Sequence, residues 1–183
     1  MRLFIAINFP AEIKETIAGV RENIKEAALR GNFTYDENLH LTLAFLGECS
    51  PQQMKMIKTV LDHIIFINFT LELHKVGYFK GDKGNIWWVG LKESKCLSDL
   101  QADLCNRLEQ MGFLMENRKF TPHITIAREV KIKSGYVQPE APQTSFNVAS
   151  IELMKSERIN GKLVYTPVFA VRCQMPINTF KTF

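Results

Sequence analysis

Nothing in this 183-residue chain approaches the ~20 consecutive apolar residues that a membrane-spanning helix needs; its longer apolar runs, such as those at 64–67 and 86–89, are of strand length. The opening residues show no secretory leader, because Asn8 and Pro10 break their apolar stretch without a cleavage-type segment, so a cytoplasmic protein is expected. Cysteine is sparse. Cys49, Cys96, Cys105 and Cys173 stand apart with no Cys-x-x-Cys pair, which excludes a zinc knuckle and a thioredoxin-like redox motif and leaves reduced, mostly buried thiols as the expectation. Nor is there a large excess of either charge. A net charge of +4 helps an anion arrive but does not hold a DNA duplex, so a small or single-stranded anion is the expected partner.

What is present reads as an ordinary folded domain, with 46% hydrophobic residues, enough to bury a core without staples. Residues 2–8 (RLFIAIN) form a strand-length apolar run closed by Phe9-Pro10. Ile13, Ile17, Val20, Ile24 and Ala28 recur at helical steps and predict a helix from 11 to about 29, stopped by Arg30-Gly31 and followed by a polar turn over 32–38. Residues 39–46 (LHLTLAFL) then read as a strand in which strict alternation puts His40, Thr42 and Ala44 on one face.

The second half repeats this order. A strand is predicted at 85–91, a helix at 94–111 with Leu97, Leu100, Leu104 and Leu108 in phase and Gly112 as its stop, and then Pro122-His-Ile-Thr-Ile-Ala-Arg128. A shift of 83 positions lays Ile5 on Trp88, His40 on His123 and Thr42 on Thr125 without a gap. A helix near 51–65, strands near 69–79, 146–155 and 163–174, and a loop marked by Pro139 and Pro142 complete the chain. The fold class that follows is α+β: one domain, 1–183, made of two pseudo-symmetric lobes (about 2–46 and 85–129). Each lobe is an antiparallel sheet with helices packed outside, and a groove lies between them.

Two His-x-Thr strands facing one groove make a chemically specific pattern. Each presents an imidazole beside a hydroxyl, so a phosphodiester between them has one histidine for a base and one for an acid. Imidazole suits both tasks because its ordinary pKa of ~6.5 leaves both protonation states accessible near neutrality. The hydroxyls of Thr42 and Thr125 can donate to non-bridging phosphate oxygens, and Arg128, five residues past His123, adds a planar cation. Neither motif carries a third Cys, His or carboxylate at ligand spacing, so no metal and no cofactor is expected.

HLTL at 40–43, HITIAR at 123–128 and the opening RLFIAINFP resemble the 2H phosphoesterase superfamily, and within it the bacterial and archaeal RNA 2′,3′-cyclic phosphodiesterases, the 2′-5′ RNA ligase-like branch. The resemblance spans nearly the whole chain. It implies hydrolysis of 2′,3′-cyclic phosphate, at RNA ends or in small cyclic nucleotides, to a 2′-phosphomonoester. His123 would activate water, His40 would protonate the departing 3′ oxygen, and Thr42, Thr125 and Arg128 would contact phosphate. Phe9 and Phe120 are the candidate base-stacking aromatics. A monomer is expected. The rival readings are a 2′-5′ RNA ligase or 2′-5′ phosphodiesterase using the same site, and an RNA-binding module without catalysis. Of Trp87 and Trp88 alternation lets at most one face the groove, with core packing favoured for the pair, and His63 and His74, lacking a threonine partner, read as structural or surface residues.

Overall fold

The computed structural model describes residues 1–174 as two antiparallel sheets and three α-helices around a large hydrophobic core, with a small separate cluster of Phe4, Ala6 and Met154. Strands β1 (Arg2–Asn8), β3 (His40–Glu48), β8 (Ser150–Ile159) and β9 (Lys162–Arg172) form one sheet in the order β3-β1-β8-β9. Strands β2 (Ala28–Phe33), β6 (His123–Ile132), β5 (Asn85–Leu91), β4 (Phe69–Phe79) and β7 (Ser145–Val148) form the other, in the order β2-β6-β5-β4-β7. The two motif strands, β3 and β6, lie alongside one another where the sheets meet. No helix among the described residues is long and apolar enough to cross a membrane.

Helix α1 (Ala11–Ala27) buries Ile13, Ile17, Val20 and Ile24; α2 (Pro51–Asp62) begins at a capping box in which Ser50 and Gln53 exchange side-chain and backbone hydrogen bonds. Helix α3 (Lys95–Gln110) buries Leu97, Leu100, Leu104 and Leu108. It stops at Gly112, whose φ of 86° is the left-handed conformation that glycine adopts without strain. The helices cross over between lobes. α1, which follows β1 of the first sheet, packs on β2 and β6 of the second, while α3, which follows β5 of the second sheet, packs on β3 of the first.

Three sequence expectations change. The first helix ends at Ala27, and residues 28–33, read as helix end and turn, are instead the strand β2, which covers the edge of β6. Gly31 is thus not a helix stop: a Cβ there would stand 2.9 Å from a methyl of Val130, so glycine allows close packing of the two strands. The strand expected near 146–155 is two strands, β7 and β8, on different sheets. And the repeat is not gapless. Asn8 lies opposite His40 and Gly90 opposite His123, so the partner strands superpose with a shift of 82 while the motifs keep 83, and Trp88 corresponds to Ala6 rather than Ile5.

Candidate active site

The same device shapes both motif strands. In β3, Ile5 pairs with Ala44 and Ala6 with Thr42, which leaves Leu43 as an extra residue; in β6, Trp87 pairs with Ala127 and Trp88 with Thr125, which leaves Ile126 extra. Each extra residue is a β-bulge, and it flips the alternation beyond it. Leu43 and Ala44 both enter the core, as do Ile126 and Ala127. Ala44 therefore does not share the histidine face, as uniform alternation had it. The residue five past each histidine, Phe45 or Arg128, emerges on the groove side instead. Strict alternation would have turned Arg128 into the core.

The two histidines are held alike. His40 Nδ1–H donates to the carbonyl of Asn38 at 2.7 Å and His123 Nδ1–H to that of Thr121 at 2.7 Å. Each bond fixes the neutral tautomer with Nε2 free for chemistry, and it survives when Nε2 takes up a proton. His40 Nε2 lies 3.1 Å from the Thr42 hydroxyl. The ring of His40 sits against Phe4 (4.8 Å between centroids) and Tyr165 (5.2 Å), and that of His123 against Phe79 (5.1 Å) and Trp88 (6.4 Å).

These aromatic collars strip water from the imidazoles. Burial pushes His40 down to about 4, opposed by its bond to Asn38 and reinforced by the charges of Lys14, Arg128 and His123. Burial likewise lowers His123, with Arg118 and Arg128 adding to it. The charge of Arg128 thus bears on both rings, one from each lobe. Both imidazoles are neutral at pH 7 in the empty groove, and an arriving phosphate, by supplying the missing negative charge, favours protonating one of them.

A stability signature follows. Between pH 6.5 and about 4 the unfolded chain protonates a histidine that folded His40 leaves neutral. This contribution is complete above pH 6.5 and is lost as pH falls, by about 3 kcal/mol in all. In urea melts from pH 7.5 to 4.5, His40→Gln is expected to show a shallower acid decline than the unaltered protein; parallel declines would refute the assignment.

Phe9 is withdrawn as a stacking candidate. It shares the parity of Leu3, Ile5 and Ile7 and is buried in the core with its ring edge-on to Phe146 at 5.0 Å, a placement that alternation along 2–9 already signalled. Phe120 is half-buried and leans on the same core. Trp87 is a core residue, whereas Trp88 lies on the groove side over Gly77, where a Cβ would collide with its ring, and against Gly90, where a Cβ would stand 3.0 Å from it. The groove aromatics Phe4, Phe79 and Tyr165 were missed. Phe4 was visible in principle from its parity with Asn8; the other two lie on strands that carry no motif. His63 is exposed, its Nδ1 bonded to the Thr59 carbonyl, and His74 is exposed on β4. A separate hollow of about 710 Å³, lined by residues including Glu72, Lys75, Lys92 and Glu140, contains none of the motif residues.

Comparison with known proteins gives a consistent result. Residues 9–160 match the family described as the 2′-5′ RNA ligase superfamily. The RNA 2′,3′-cyclic phosphodiesterase of Escherichia coli K12 is 33% identical over 168 residues, covering 91% of this chain and 93% of that protein. The protein of the same name from Methanothermobacter thermautotrophicus is 27% identical over 183 residues, covering 94% and 98%. Among solved structures, E. coli LigT complexed with 3′-AMP superposes with a TM-score of 0.83 at 32% identity, covering 94% of this chain and 97% of that one.

Proposed function

The chain belongs to the 2′-5′ RNA ligase superfamily and is an RNA 2′,3′-cyclic phosphodiesterase, and from that premise we propose that His40 and His123 open a cyclic phosphate at an RNA end by paired acid–base catalysis without a metal. The observation that carries this reading is the matched pair of imidazoles, each with Nδ1 tied to the carbonyl two residues earlier so that Nε2 is the unprotonated nitrogen, the one on His40 meeting the Thr42 hydroxyl, with one arginine acting on both.

The chemistry runs as one in-line displacement. His123 Nε2 takes a proton from water as its oxygen bonds to phosphorus. The bond from phosphorus to the 3′ oxygen breaks, and His40 Nε2–H gives that oxygen its proton, leaving a 2′-phosphomonoester. Thr42, Thr125 and Arg128 hold the non-bridging oxygens, where negative charge shifts in the transition state. Because both imidazoles are neutral in the empty groove, the proton needed on His40 is taken up with the anionic substrate.

The deciding experiment is incubation with a nucleoside 2′,3′-cyclic phosphate in EDTA, with identification of the product isomer. Undiminished turnover to the 2′-phosphate is expected. A 3′-phosphate product, or activity that EDTA abolishes, would sink the mechanism.

A further inference from the structure

The symmetry between the lobes fails at the residue five past each histidine, which is Arg128 in one motif strand and Phe45 in the other. The first lobe nevertheless presents a cation at that place. The guanidinium carbon of Arg2, on the neighbouring strand β1, stands 5.0 Å from the centre of the Phe45 ring. Stacking engages the face of the guanidinium and leaves its in-plane N–H groups free to donate.

Those donors are uncommitted among the described residues. Among the described residues Arg2 makes no ion pair with an Asp or Glu; Glu48, its cross-strand partner, is paired with the amino group of Met1 at 3.2 Å. Register also sets Arg2 opposite Ser156 and Ser156 opposite Tyr165, a polar row across three strands on the groove face, with the Tyr165 ring against that of His40. Burial pushes the Tyr165 hydroxyl up, and the charges of Arg128 and Arg2 both act against that rise, one from each lobe.

Along β1, Arg2 is six residues from Asn8, the partner of His40. That is ~20 Å of strand, of which the long side chain recovers only a part. The guanidinium is therefore on the catalytic face yet removed from a phosphate lying between the histidines. An RNA strand carries a phosphate at every nucleotide, and a planar fork of N–H donors is the side chain suited to hold one.

We propose that Arg2, stacked on Phe45, is a second anion subsite of the groove that takes a phosphodiester of the RNA strand 5′ to the cyclic end. The proposal rests on the hydrolase reading above. It makes the enzyme selective for RNA ends over free cyclic nucleotides, through affinity rather than chemistry.

The test compares kcat/KM for a nucleoside 2′,3′-cyclic phosphate with that for a trinucleotide ending in the same cyclic nucleoside, in the unaltered protein, Arg2→Ala and Arg2→Lys. The trinucleotide-to-mononucleotide ratio is expected to fall tenfold or more in Arg2→Ala, through KM on the trinucleotide, and to recover in part in Arg2→Lys. The unaltered ratio is also expected to fall more steeply with added salt than that of Arg2→Ala. A ratio within twofold of the unaltered protein's in both variants overturns the proposal, whether both substrates lose rate equally or neither does. Binding of the same trinucleotide by His123→Ala, with and without Arg2→Ala, reads the subsite apart from the chemistry: tenfold weaker binding supports it and equal binding overturns it. Failure of the unaltered protein to turn over the mononucleotide counts instead against the hydrolase reading.

Discussion

Alanine at His123 or at His40 is expected to lower kcat by ~10²–10⁴-fold, the usual contribution of one positioned acid or base. The two losses differ in how the residual rate depends on pH. With His123 gone, what remains is the acid, active only when His40 is protonated, so the residual kcat/KM falls as pH rises. With His40 gone, what remains is the base, active only when His123 is neutral, so the residual kcat/KM rises with pH. In the unaltered protein both groups are lowered, His40 to about 4 and His123 below its ordinary value. The kcat/KM profile is therefore a bell with its maximum below pH 6.5. The kcat profile lies at higher pH, because bound phosphate raises both groups. Initial rates on a cyclic nucleotide from pH 4 to 9 provide the measurement. Slopes of the opposite sign would exchange the roles of acid and base, and a variant within tenfold of normal would remove that histidine from the mechanism.

Arg128→Ala is expected to cost ~10²–10³-fold in kcat/KM, the scale of losing one preorganised partner for transition-state charge. It should also move the pH profile, which a simple phosphate contact would not do. Arg128 bears on His40 and His123 together, so its removal raises both, and both limbs of the kcat/KM bell shift upward in pH. Arg128→Lys keeps the charge and loses the planar fork; its limbs should stay near normal while only part of the rate returns. Full activity in Arg128→Ala, or a slower enzyme with unmoved limbs, would contradict this dual role.

Elements whose information is local were legible in the sequence. Strands 69–79 and 85–91 have the bounds their apolar patterns gave, and α3 is framed by Ser94 and Gly112. The motif residues His40, Thr42, His123 and Thr125 were equally plain, because side chains two apart on a strand share a face whatever surrounds them. What was lost depends on distant partners. β2 has weak strand character, with Gly31 and an exposed Leu29, and exists because β6, nearly a hundred residues later, has an edge to cover. The crossed packing of α1 and α3 is invisible for the same reason: an apolar stripe tells a helix to be buried, not against which sheet. The one-residue slip in the repeat escaped because His-x-Thr anchors the motif strands but not their partners. Phe9 failed through a local cue passed over, the parity it shares with Leu3, Ile5 and Ile7.

The bulges at Leu43 and Ile126 have a wider bearing. A β-strand is ordinarily written in a two-letter frame, and an inserted residue works like a frameshift: the words before it keep their meaning and those after it are read on the opposite face. Each motif strand therefore carries two messages in register with one another only through its extra residue, histidine and threonine in one frame and the residue at plus five in the next. Inserting one residue between Ala127 and Arg128 would leave both histidines and both threonines spelled as before while sending the Arg128 guanidinium in among leucines and isoleucines. A chain can thus keep its His-x-Thr signature intact and still have its site misspelled, and spacing up to the arginine is the part of the motif that reports whether the groove can be read.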